Sequence, residues 1–181
     1  MNATEAAPES NKPPARDAIA RWWRIALGDR QKPAARGLAA RLRRASVLDA
    51  LAEPAVHDLA RRLDLKPTER NVQALLRVAL VLAWVREDDA HASLAQRLGQ
   101  GDAPRMSTLR FQSLMRAEGD ELVAVLRRAL ALADQRCNVG ALGSDLLHWS
   151  DKTRTTWSFH YFGAQAPQTE PDPSYAQEPT P

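Results

Sequence analysis

The stretch Asn71–Trp84, NVQALLRVALVLAW, decides the fold. Val72, Leu75, Leu76, Ala79, Leu82 and Ala83 recur at helical spacing, and Val78, Val81 and Val85 fill the other faces. A helix that is apolar nearly all round has no side to offer water, so it is buried. Pro67-Thr68 precede it, and Thr68 is placed to cap the first turn through its hydroxyl. The spacing therefore predicts a central helix over about residues 68–86. Trp84, near its end, reads as packing within the core or between two lobes.

Working outward, nearly every segment has helical periodicity. Residues 15–27 put Ile19, Trp22, Trp23 and Ala26 on one side, and Gly28-Asp29 end that helix. A second helix, 34–45, turns Leu38, Leu42 and Ala45 inward and Arg36 and Arg43 outward. Pro54 opens a third, 54–64, with Val56, Leu59, Ala60 and Leu63 inward. Residues 87–106 read as a long loop with a short helix at Ser93–Leu98. Ser107 caps 108–117, Gly119-Asp120 separate it from 120–134, Asn138 opens 139–149 and Asp151 caps 152–162. No strand-like alternation of useful length appears. The prediction is an all-α protein of two small helical-bundle lobes packed together, 15–98 and 99–162. Disordered tails at 1–14 and 163–181 flank them, since those ends are too polar and proline-rich to bury a core.

A chain of 181 residues with 44% hydrophobic and 26% charged residues is not wholly disordered. Its longest apolar run, Val78–Val85, is too short for a membrane span. No basic-then-apolar leader opens it, and its single cysteine, Cys137, excludes a disulfide framework and a cysteine-rich zinc module. A cytoplasmic protein with no membrane partner is expected.

The formal net charge of +3 is unevenly divided. Residues 1–15 carry Lys12 against Glu5 and Glu9, and 163–181 carry only Glu170, Asp172 and Glu178; that leaves +7 on 16–162. Residues 21–44 hold Arg21, Arg24, Arg30, Lys32, Arg36, Arg41, Arg43 and Arg44 against Asp29 alone. Arginine suits planar, bidentate contact with phosphate. On 108–117, Arg110, Ser113 and Arg116 form an outward row opposite Phe111, Leu114 and Met115. On 120–134 the inner stripe is Leu122, Val125, Leu126, Ala129 and Ala133, which sends Arg127 and Arg128 to either side. Lys152 and Arg154 add two more cations. With Arg36, Arg41, Arg43 and Arg44 these could line one phosphate-tracking surface. The same spacing fits solvated helix faces with carboxylate partners equally well. Aromatics interleave with the charges, but Trp22, Trp157 and Tyr161 match core positions, and Arg154 is placed to cover the Trp157 ring.

Enzyme signatures are poor: there is no glycine-rich phosphate loop, paired-histidine zinc helix or nucleophile elbow. His57-Asp58 lacks the further ligands a metal hydrolase needs, and reads as an exposed helix pair. Glu87, Asp88, Asp89 and His91 read as a solvated acidic loop before a cation site. Arg136 beside Cys137 would favour a thiolate, yet no base is placed for it, so the cysteine is structural. No catalytic residue, metal or cofactor is expected.

The order of the pieces carries a resemblance. ARWWRIALGDR (20–30) is followed by LRRA (42–45) and NVQALLRVALVLAW (71–84). Then come MSTLRFQSLMRAEGDELVAVLRRAL (106–130) and NVGALGSDLLHWSDKTRTTW (138–157). Over Ile19 to Phe162 this resembles the CasB family, the small subunit of the type I-E CRISPR complex Cascade. The stretch LRFQSLMRA followed by LRRAL is the most specific part. The resemblance implies an all-helical, two-lobed protein without catalytic activity, present in two copies. It implies contact with CRISPR RNA, target DNA and the displaced single strand, and with the backbone subunit CasC and large subunit CasA. By motif position the family's basic surface falls on Arg43, Arg44, Arg110, Arg116, Arg127, Arg128, Lys152 and Arg154. Arg77 also matches, but its buried-looking helix suggests a structural role. The acidic tail lies outside the family pattern. A second reading makes the protein a spacer that bridges other subunits, with its arginines on their carboxylates.

Overall fold

The computed structural model describes residues 14–165, so the tails expected at 1–14 and 163–181 fall almost wholly outside the described residues. The protein is all-α. Helices α1 (Ala15–Trp23), α2 (Pro33–Leu42), α3 (Val47–Leu51), α4 (Pro54–Leu63) and α5 (Glu69–Leu82) form the first run. Helices α6 (Leu94–Gly99), α7 (Thr108–Arg116), α8 (Gly119–Leu132), α9 (Val139–Leu147) and α10 (Asp151–Tyr161) form the second. A π-helical turn, Arg24–Gly28, prolongs α1. Two two-residue strands, β1 (Glu87–Asp88) and β2 (Arg136–Cys137), pair in parallel, Glu87 with Arg136 and Asp88 with Cys137.

Local chemistry explains the ends. Thr68 and Asn138 cap α5 and α9, accepting from the Asn71 and Ala141 amides at 3.3 and 2.8 Å. Asp151 does not cap α10: it is the first helical residue, and Ser150 before it accepts from the Thr153 amide. Helix α3 was not anticipated; a reciprocal capping box between Ser46 and Asp49 makes so short a helix possible. The β pair also escaped, because two residues are too few to show alternation.

One continuous cluster of buried side chains runs from α1 to α10. Trp22 and Trp23 belong to it, and their indole N–H groups donate to the carbonyls of Ala55 at 2.8 Å and Leu82 at 3.1 Å. The Tyr161 ring stacks on Phe111 at 4.0 Å, and its hydroxyl donates to the Met106 carbonyl at 2.5 Å. Two close approaches cross residue 98. Helix α9 packs on α1 and α5, and a Cβ on Gly143 would lie 2.4 Å from Ile19 Cγ2. Helix α6 packs on α10, where a Cβ on Gly99 would lie 1.8 Å from the Tyr161 carbonyl oxygen.

The acidic loop is structural where a solvated loop was expected. Asp89 is buried against the Arg97 guanidinium and accepts from the His91 amide; the Arg97 bond, then His91, draws its carboxyl below the usual range. Asp88 accepts from the Val139 amide at 3.0 Å, which ties the loop to the start of α9. Among the described residues, no helix is long and apolar enough to cross a membrane.

Candidate nucleic-acid interface

The last carbonyls of an α-helix lack intrahelical partners and carry the negative end of its dipole. At the end of α5 this draws in two arginines. Arg30 donates through Nη2 to the carbonyls of Ala83 and Val85, at 3.1 and 2.9 Å. Arg43 donates through Nε to Ala83 at 2.9 Å. Helix α2 ends at Leu42, so Arg43 leaves the outward face expected of it and turns onto α5. The Arg43 guanidinium then lies 5.2 Å from the Trp84 ring centroid, and Arg127 of α8 lies 5.1 Å from the same ring. Arg86 follows two residues later.

These cations feel one another. Burial, then Arg43 and Arg86, holds the Arg30 pKa down at about 10. Burial, then Arg86, lowers that of Arg43. Among the described residues, none of Arg30, Arg43, Arg86 and Arg127 has a carboxylate at ion-pair distance. Four guanidinium groups gathered without an acid make a site suited to an anion.

Arg128 leaves α8 in another direction. It lines a groove of about 430 Å³ between α7 and α8 with Met106, Arg110, Ser113, Val125 and Leu132. Adjacent residues of α8 thus join the Trp84 cluster to an arginine-walled groove. Arg36, Arg44, Arg116 and Lys152 are exposed, but no contact brings them to either group.

Two predicted residues are committed elsewhere. Arg41 binds Glu53 through Nε at 2.5 Å and Nη2 at 3.0 Å. Arg154, only 22% exposed, lies 3.0 Å from both Glu118 and Asp151. It covers Trp149 (5.8 Å to the centroid), not Trp157, which is buried and donates to Asp145 at 2.7 Å. Arg77 donates to the Leu146 carbonyl at 2.8 Å and so closes the end of α9. Sequence reasoning missed Arg30, Arg86 and Trp84 as a unit. The available signal was a cation just past an apolar helix, where the dipole favours one.

The residues of the other candidate chemistries have structural partners. His57 Nε2 lies 2.7 Å from the Leu51 carbonyl, and Asp58 pairs with Arg62 at 2.7 Å. No group of three His, Cys, Asp or Glu among the described residues could hold a metal. Cys137 is buried, and burial pushes its thiol up to about 12; Arg136, placed to favour a thiolate, turns instead to Glu87 and Asp89.

The fold and site define a small helical protein with a concentrated, unneutralised arginine surface. The chain belongs to the family of CRISPR-associated protein Cse2, whose profile matches residues 38–162. It is similar in fold to CasB from Thermus thermophilus, at 23% identity and a TM-score of 0.62, covering 83% of this chain and 99% of that one. It is also similar to a chain in the crystal structure of E. coli Cascade bound to a PAM-containing dsDNA target. There the identity is 25% and the TM-score 0.59, over 80% of this chain and 92% of that one. No protein with a curated description matches the chain.

Proposed function

We propose that this protein is a non-catalytic small subunit of a cytoplasmic type I-E Cascade complex. In this reading it holds nucleic-acid backbone beside CasC, CasA and a second copy of itself. Guide pairing reads the target sequence; this subunit adds sequence-independent contacts to the guide–target duplex and the displaced strand. R-loop exchange is nearly balanced, so a few arginine–phosphate contacts can tip it. The carrying observation is the Trp84 cluster, where Arg30, Arg43, Arg86 and Arg127 gather without a carboxylate among the described residues. Family membership and the likeness to the Cascade chain support the assignment.

The test is an assembled complex carrying Arg43→Glu/Arg127→Glu, with R-loop lifetime followed as salt rises. A shorter lifetime and a shallower salt dependence, with assembly intact, are expected. An unchanged lifetime at every salt concentration overturns the reading. Lost assembly favours the spacer reading, which has its own support in a groove of about 730 Å³ that sets Leu76, Leu80 and Trp149 beside Glu69, Glu118 and Asp120.

A further inference from the structure

We propose that residues 166–181 dock on this chain's own groove between α7 and α8, with their carboxylates on Arg110 and Arg128. The groove is a built receptor for an acidic, proline-rich strand. Met106 and Val125 give it a buried apolar floor, while Arg110 and Arg128 are exposed and have no ion pair among the described residues. Arg105, beside it, is already taken by Asp134 and the Leu132 carbonyl.

The chain leaves the fold next to this groove. The last residue of α10, Tyr161, stacks on Phe111 in the core and bonds to the Met106 carbonyl, and Met106 lines the groove. Gly163, at a φ of +70°, turns the chain out of α10 and shares a cleft with Thr108, the first residue of α7. Arg110 stands two residues further along that helix, about 3 Å on by helical rise and about 200° round the axis, so the segment must pass round the start of α7 to reach it. Glu170 is five residues beyond Gln165, within an extended reach of about 17 Å.

The segment has the matching chemistry. APQTEPDPSYAQEPTP holds Glu170, Asp172 and Glu178 and no lysine or arginine. Pro171 and Pro173 bracket Asp172 and bias it toward an extended strand, which reduces the entropy lost on docking. Their rings suit the Met106 and Val125 floor, and Asp172 suits the arginine walls. Competition with nucleic acid rests on the function proposed above; docking itself does not.

The experiment compares the full chain with its Glu170→Gln/Asp172→Asn/Glu178→Gln variant by NMR, without nucleic acid. The Nε–H signals of Arg110 and Arg128 and the amides of 110–113 and 125–128 are expected to differ between the two, with the difference lost at high salt. Identical signals overturn docking. Differences that grow with protein concentration put the segment on a second copy and overturn the intrachain form. Binding of single-stranded oligothymidine then separates the two proposals. The variant is expected to bind about threefold to tenfold more tightly at low salt, the scale of two exposed ion pairs. Shifted signals with unchanged affinity uphold docking and remove Arg110 and Arg128 from the phosphate surface.

Discussion

Two tryptophans carry arginines, and their surroundings are opposite. Trp84 is flanked by Arg43 and Arg127, with Arg30 and Arg86 nearby and no ion-paired carboxylate among the described residues. Trp149 is covered by Arg154, which Glu118 and Asp151 hold, and its own indole N–H has no hydrogen-bond partner there. Both would pass as cation–π pairs. The first is positive and open to an anion; the second is internally neutralised and serves packing. Carboxylates, not arginine spacing, separate the proposed interface from the scaffold.

The largest expected effect tests the scaffold side. Trp149 meets Trp157 edge-on at 5.1 Å, and Trp157 is held by Asp145. Burial raises the Asp145 pKa from 3.8 to about 6, against the opposing Trp157 bond and Arg16. A folded-state pKa above the unfolded one gives stability that is complete below the unfolded pKa and lost as pH rises through the folded pKa. Relative to Asp145→Asn, the native chain should lose about 2.4 kcal/mol between pH 4 and pH 7, because pH 4 already lies just above the unfolded pKa. Urea unfolding at both pH values checks this, and parallel behaviour of the two proteins would contradict it.

Next comes the interface side. Isolated Arg43→Glu/Arg127→Glu should bind single-stranded oligothymidine about fiftyfold more weakly at low salt. Its log–log salt slope should be shallower by about 1.4, the loss of two phosphate contacts. Fluorescence anisotropy over a salt series measures both, and an unaltered slope would remove the cluster from the contact surface. Smaller still, Arg43→Ala should cost about 1–2 kcal/mol of folding stability, because the Ala83 carbonyl loses a charged donor. Thermal and urea unfolding decide it; full stability would mean that Arg30 closes the helix end alone. The smallest effect is Arg154→Gln, which should alter oligothymidine affinity by less than about twofold. A larger loss would erase the contrast between the two tryptophans.

Most of the fold was legible because its helices are amphipathic and its boundaries carry their own chemistry: Pro54, Thr68, Asn138 and Gly28 stand where periodicity begins or ends. The pieces that escaped lack a local signal. Helix α3 rests on a cap rather than a stripe, and the β pair joins residues nearly fifty apart. The arginine rows of α7 and α8 were readable, as was the divergence of Arg127 from Arg128. Which arginines are free was not, since Glu118 meets Arg154 and Glu53 meets Arg41 only through the tertiary fold. Arg30 and Arg86 joined the cluster for the same reason: they converge at the end of a helix to which neither belongs.

The glycine contact between α9 and α1 has a consequence for synthesis. Helix α1 is made first, and α4 soon covers part of it where Trp22 meets Ala55. Ile19 waits much longer, because Gly143 lies 124 residues further along the chain. The nascent chain therefore carries an incompletely covered hydrophobic face while those intervening residues are made, and closes it only when α9 arrives.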